Sequence, residues 1–166
     1  MASGPIIRRM TPEDVDAVYA IETDTFKPPW SRESFVHEMT ANVCARYLVA
    51  VLAERVVGFA GMWVVLDEAH ITNIAVAKAF RMKGYGSQLI KALVQYAANL
   101  GASHMTLEVR SGNQHAQCLY QSLGFQAAGR RKRYYEDNGE DAVLMVNDSL
   151  PEPERSFREP ETLEEG

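Results

Sequence analysis

Two cysteines, Cys44 and Cys118, are too few for a disulfide framework, and their spacing matches no metal site. No metal is therefore expected. No apolar run approaches the ~18 residues of a membrane span, and the N-terminal residues lack a signal-peptide pattern, so a cytoplasmic protein without a membrane partner is expected. Positive charge is scarce: 17 Lys and Arg stand against 22 Asp and Glu. The one basic run, Arg130-Arg131-Lys132-Arg133, sits in a domain with no broad basic face, so direct nucleic-acid binding is not expected. Internal repeats are absent.

What is present is ordinary for a single domain with a sizeable core: 166 residues, 46% hydrophobic and 23% charged. The net charge of −5 is unevenly placed, because the stretch from Pro151 onward holds six Glu against two Arg. That stretch has three prolines and little to bury. The expected organisation is a domain over residues 1–150 and a disordered acidic, Pro/Glu-rich tail over 151–166.

Ile6 to Met10 reads as a strand. Thr11-Pro12-Glu13-Asp14 is a helix start, with a capping hydroxyl, proline at the first helical position and acids in the first turn. Lys27-Pro28-Pro29-Trp30 breaks that helix, and Ser31 caps a second one ending near Thr40. Tyr47–Leu52 and Val56–Val65 read as strands joined at Ala53-Glu54-Arg55, followed by a strand over His70–Val76. A long helix, a strand over His104–Val109, a helix over Gln114–Leu123 and segments near 125–133 and 142–146 complete the order. The predicted fold class is α/β (α+β), a mixed sheet with helices on both faces.

Arg81-Met82-Lys83-Gly84-Tyr85-Gly86 lies between the His70–Val76 strand and a helix whose Leu89, Ile90, Leu93, Ala97 and Leu100 repeat at helical spacing. A glycine-bearing turn opening a helix presents free N–H groups and the positive end of the helix dipole, a seat for a pyrophosphate. A dinucleotide fingerprint would need glycine at Leu89, and no Gly-Lys-Ser/Thr closes a P-loop. The Arg-x-x-Gly-x-Gly pattern resembles the coenzyme A turn of the GNAT family of acetyl-CoA-dependent N-acetyltransferases. A tight turn with nothing bound is the bland alternative.

Further strings carry that resemblance: Pro29-Trp30-Ser31, Asn73-Ile74-Ala75-Val76, Leu107-Glu108-Val109-Arg110-Ser111-Gly112-Asn113 with Leu119-Tyr120 and Leu123-Gly124-Phe125, then Arg131, Tyr134-Tyr135, Asp141-Ala142 and Met145. Over roughly residues 5–147 the chain resembles the bacterial ribosomal-protein alanine N-acetyltransferases within that family. Gly112 departs from the pattern, which usually has Ser there, and the proline usual near Lys78 is missing.

The resemblance implies a GNAT fold with a mostly antiparallel sheet, and acetyl-CoA as donor with coenzyme A as product. It also implies cofactor contacts at Ile74, Ala75, Val76, Arg81, Met82, Lys83, Gly84, Tyr85, Gly86, Ser87 and Asn113. Glu108 is implied as general base and Tyr120 as general acid. Pattern alone makes Glu108 an exposed strand residue and Tyr120 a core tyrosine. Confinement is expected to raise the Glu108 pKa. Among the histidines His115, one turn from Tyr120, is the second choice for the base; His37 and His104 read as surface positions, and His70 merely begins a strand. Cys118 reads as a packed thiol.

Trp30, Glu68, Tyr134 and Tyr135 are implied as substrate-facing. Deprotonating an α-amine of pKa ~8 at neutral pH costs at most about 1.4 kcal/mol, against roughly 4 to 5 kcal/mol for a lysine. The expectation is a monomer that acetylates a polypeptide N-terminus, an alanine of a small-subunit ribosomal protein. Acetylation of lysines or small amines, and a silent coenzyme A-binding module, stay open.

Overall fold

The computed structural model describes residues 4–159. Seven strands form one sheet: β1 (Ile6–Arg9), β2 (Ala45–Leu52), β3 (Arg55–Val65), β4 (Glu68–Val76), β5 (His104–Arg110), β6 (Gln126–Arg131) and β7 (Ala142–Asn147), in the order β1-β2-β3-β4-β5-β7-β6. Every neighbouring pair is antiparallel except β4 and β5. Four α-helices cover it: α1 (Val15–Thr25), α2 (Arg32–Thr40), α3 (Tyr85–Asn99) and α4 (Gln114–Ser122).

The helix boundaries follow local chemistry. The Ser31 Oγ accepts from the Ser34 N–H at 3.0 Å and starts α2 as expected. Ahead of α1, Pro12–Asp14 is instead a single 3-10 turn, in which the Asp14 carboxylate accepts from the Thr11 N–H at 2.8 Å and from both Arg8 η-nitrogens. Gly84 precedes α3 at φ +83°, a left-handed conformation suited to glycine.

The sheet separates two cores. On one face Leu89, Ile90, Leu93 and Ala97 of α3 and Tyr120 of α4 pack on Met62, Ile71, Met105, Leu107 and Met145. On the other, Val15, Val18, Ile21 and Phe35 of α1 and α2 pack on Tyr47, Val49, Phe59 and Ala75. The β3–β4 register skips one residue: Gly61 pairs with Asn73 and Met62 with Ile71, which leaves Thr72 as a bulge. The bulge switches faces along β4, so Ala69 and Ile71 face one core and Ala75 the other.

The expectation of a tail with little to bury differs from its described part. Phe157 stacks on Tyr96 at 6.0 Å, Asn99 Nδ2 donates to Glu154, and Glu159 accepts from Tyr96 OH at 2.7 Å and from Arg46. Residues 151–159 lie along α3, with Phe157 as the apolar anchor that the acidic composition concealed. Residues 160–166 fall outside the described residues.

Candidate active site

Strands β4 and β5 pair only over Glu68–His70 with His104–Thr106. Beyond that point β4 stays with β3 and β5 stays with β7, so the sheet opens as a fork. The Thr72 bulge sits where the two strands part. The β4 edge facing the fork, over Ile71–Val76, has no strand partner among the described residues, so alternate backbone groups there are open to a ligand, except the Val76 carbonyl, which accepts from Arg81 Nε. Ile74, Ala75 and Val76 lie on this edge, as a pantetheine-binding strand requires.

On the α1/α2 side of the fork stands Glu108. Its side chain is only 9% exposed, not an open-surface strand residue. One carboxylate oxygen lies 3.1 Å from His70 Nε2, and the other accepts from Arg131 Nε at 3.0 Å. His70 Nδ1 in turn lies 2.8 Å from Thr106 Oγ1. Thr106 and Glu108, two residues apart on β5, share a face with His70 of the adjoining strand, so the sheet pleat itself assembles the trio.

The expected rise in the Glu108 pKa is reversed. The His70 ring beside it pulls the value below that of an ordinary glutamate, aided by Arg131 and opposed by burial. His70 is the member of this cluster that sequence reasoning passed over. Strand alternation could have found it: the β4–β5 register puts His70 opposite Thr106, one pleat from Glu108. His115 is exposed in the first turn of α4, and Cys118 is exposed rather than packed.

Tyr120 lies on the opposite face of the sheet from Glu108. It belongs to the α3/α4 core, 9% exposed, with its ring edge-on to Phe125 at 5.9 Å. Its hydroxyl has no hydrogen-bond partner among the described residues, and burial pushes its pKa up to about 12. A buried phenol without a partner retains its proton and has a donor to spare.

At the turn before α3, the Tyr85, Gly86 and Ser87 N–H groups precede the first intrahelical bond, that of Gln88 to the Gly84 carbonyl at 3.1 Å. A Cβ built on Gly84 would meet no atom within 4 Å, and one on Gly86 only Val76 Cγ2 at 3.8 Å. The space in front of the turn is thus open to an anion, and the cradle fits a pyrophosphate. Met82 is 90% exposed at positive φ beside it, and Lys83 is exposed too. Arg81 is exposed but tethered, its Nε donating to the Val76 carbonyl at 2.8 Å and its Nη2 to Thr25 Oγ1 at 3.2 Å, which ties the turn to β4 and α1. Asn113 caps α4 by accepting from the Ala116 N–H, and its amide N–H₂ has no partner among the described residues. Gly112 donates its N–H to Glu140 at 2.8 Å, and a Cβ there would sit 2.8 Å from the same oxygen. That oxygen ends a flexible side chain able to swing away, so nothing in the structure explains glycine where the family pattern has serine.

The substrate-facing candidates divide. Trp30, in the α1–α2 loop, stacks against Phe35 at 5.5 Å, and its N–H donates to the buried Glu22. Tyr134 is 45% exposed in the β6–β7 loop, and burial followed by the Glu108 charge raises its pKa. Tyr135 lies edge-on to Tyr134 and under the Arg110 guanidinium, 4.0 Å from its ring centroid. Arg110 also binds Asp137 and Glu140, which makes Tyr135 the anchor of that loop and Tyr134 its presented face. Glu68 begins β4 exposed at the closed end of the fork.

Comparison with known proteins identifies the family and the fold. The model of the acetyltransferase (GNAT) family matches residues 15–125. A Bacillus subtilis protein, provisionally named ribosomal protein bS18-alanine N-acetyltransferase, is 42% identical over 145 residues, covering 87% of this chain and 96% of the relative. The ribosomal protein bS18-alanine N-acetyltransferase of Escherichia coli is 38% identical over 137 residues, covering 80% and 90%. The crystal structure of the ribosomal-protein-S18-alanine N-acetyltransferase from Escherichia coli superposes with a TM-score of 0.79 at 32% identity, covering 92% of this chain and 99% of that one.

Proposed function

This chain belongs to the GNAT family and is an acetyl-CoA-dependent N-acetyltransferase; from that premise we propose that it acetylates the α-amine of an N-terminal alanine on a ribosomal protein. Support comes from the names of the relatives that resemble it along most of its length. The observation that carries the reading is the pair of groups across the fork: a shielded carboxylate on one face and an unpartnered phenol on the other.

Acetyl-CoA supplies the activated acetyl group. The Gly84–Gly86 turn, with the N–H groups of Tyr85, Gly86 and Ser87, would hold its pyrophosphate, and the free edge of Ile74–Val76 its pantetheine amides, with Asn113 Nδ2 as a further donor. The acceptor amine enters from the α1/α2 face, between Trp30 and Tyr134. There Glu108 takes its proton at a carboxylate oxygen, directly or through water, while His70 and Arg131 keep that carboxylate ionised and fixed. On the far face the Tyr120 hydroxyl gives its proton to the departing sulfur.

A carboxylate with a lowered pKa is a weak base. It suits an α-amine, which is partly neutral already, better than a lysine, whose deprotonation costs roughly 4 to 5 kcal/mol at neutral pH. The proposed catalytic unit is residues 1–150, acting as a monomer. Mass spectrometry of an Ala-initiated ribosomal-protein peptide is the test. Acetyl on the α-amine alone, with no reaction once that amine is blocked, is the expected result; acetyl only on lysine side chains would overturn the reading.

A further inference from the structure

Four carboxylates on the α1/α2 side are shielded from water, and three have evident work. Asp14 is paired with Arg8. Glu108 is paired with His70 and Arg131, and Glu22 holds the Trp30 N–H and Asn73 Nδ2. Glu38 remains. It is 6% exposed, and like Glu22 it has only neutral donors, Tyr47 OH at 2.8 Å and Trp63 Nε1 at 2.6 Å on one oxygen and Asn42 Nδ2 at 2.7 Å on the other; unlike Glu22 it lines an open cavity. No Lys or Arg forms an ion pair with it among the described residues.

Glu38 lines a cavity of about 550 Å³ between α2 and β3, walled by Trp30 and Trp63. Glu33 lines it as well, and His37 is the only lining group able to carry positive charge. A buried anion held by neutral dipoles still lacks a counter-charge, and indole faces attract cations. We infer that this cavity receives a cationic side chain, a guanidinium or an ammonium, from the second or third residue of the acceptor polypeptide; the inference rests on the N-terminal acetyltransferase reading above.

Sheet register supplies the reach. Trp63 pairs with His70, and His70 with Thr106, so the three stand in one row across β3, β4 and β5 on the same face. At ~4.8 Å between strands, Trp63 and the base of the Glu108 cluster are roughly 10 Å apart. An extended chain advances about 3.3 Å per residue, and a long basic side chain spans the remainder. An acceptor whose first amine sits at Glu108 therefore brings its second or third side chain to the two indoles. The planar guanidinium suits this setting best, since it can stack on an indole while its fork meets a carboxylate.

The experiment compares peptides beginning Ala-Arg with isosteric Ala-citrulline peptides, and repeats the exchange at the third residue. The expected result is a preference of about tenfold or more in kcat/KM for arginine at one of the two positions. That preference should fall toward unity in Glu38→Gln and in Trp63→Leu. The readout is the arginine/citrulline ratio within each protein, so a change in overall rate does not enter it. If neither variant folds, the wild-type ratio decides alone. Equal rates for arginine and citrulline at both positions, with α-acetylation intact, would overturn the subsite and leave the parent reading standing. Failure to α-acetylate any of the peptides would overturn both.

Discussion

The two faces of the sheet are built from opposite materials. Against α3 and α4 the buried side chains are mostly apolar, with Tyr96, Tyr120 and Asn147 supplying the polar atoms. Against α1 and α2 the same sheet shields Glu22, Glu38, Asn73 and the side chain of Glu108. Removing carboxylates from water is costly unless each is hydrogen-bonded, and here each one is. In the proposed mechanism the apolar face would hold the thioester end and its proton donor, and the polar face the base and the acceptor. The fork between β4 and β5 is where the two meet.

The largest expected effect breaks the polar face. Glu108→Gln should lower kcat by roughly 10²- to 10⁴-fold while acetyl-CoA affinity, measured by calorimetry, stays within about twofold. Wild-type turnover in that variant would move proton transfer elsewhere, with His70 the next residue to test. On the apolar face, Tyr120→Phe should lower kcat by about 10²-fold with little loss of stability, because no hydrogen bond is removed. A large fall in Tm without a kinetic effect would mark Tyr120 as core alone.

The phosphate turn separates binding from folding. Gly86 is helical with open space at its Cβ, so Gly86→Ala should raise stability by up to about 1 kcal/mol and yet weaken acetyl-CoA binding several-fold. Gly84→Val is the less clean variant, since φ +83° would strain any branched residue whether or not a ligand is present. Unchanged affinity in Gly86→Ala would argue against a pyrophosphate on this turn.

A smaller effect concerns pH. The folded pKa of Glu108 is lowered, so its pairing adds stability above the unfolded value of ~4.3 and loses it as pH falls through the folded value. The stability difference between wild type and Glu108→Gln, read from urea midpoints, should be largest near neutrality and shrink as pH falls below ~4.3 and through the lowered folded value. Smallest of all, Phe157→Ala should cost about 1 to 2 kcal/mol through lost packing on Tyr96 and leave kcat unchanged.

Legibility followed the range of the interactions. The strands, the Ser31 cap, the glycine turn and the long α3 were readable because alternation, helical period and capping act over a few residues. Glu108 and Tyr120 were readable as candidates through motif strings, but not their environments. Thr106 and Glu108 come from one strand, His70 from another 36 residues before Thr106, and Arg131 from a third, so the reversed pKa was out of reach. Phe157 looked like one apolar residue in an acidic tail because Tyr96, its partner, lies on a distant helix.

From sequence alone came the order of elements, the mixed sheet and a turn suited to an anion, since each rests on backbone preferences and local spacing, while the kind of chemistry came from the resemblance of motif strings. Tertiary structure decided which carboxylates are shielded, which cations or neutral donors face them, and that Glu108 and Tyr120, the proposed base and acid, stand on opposite sides of one fork. The physical reason is that charge states depend on neighbours brought together by strand register. A single bulge at Thr72 shifts that register along β4, and no spacing rule marks it in the chain.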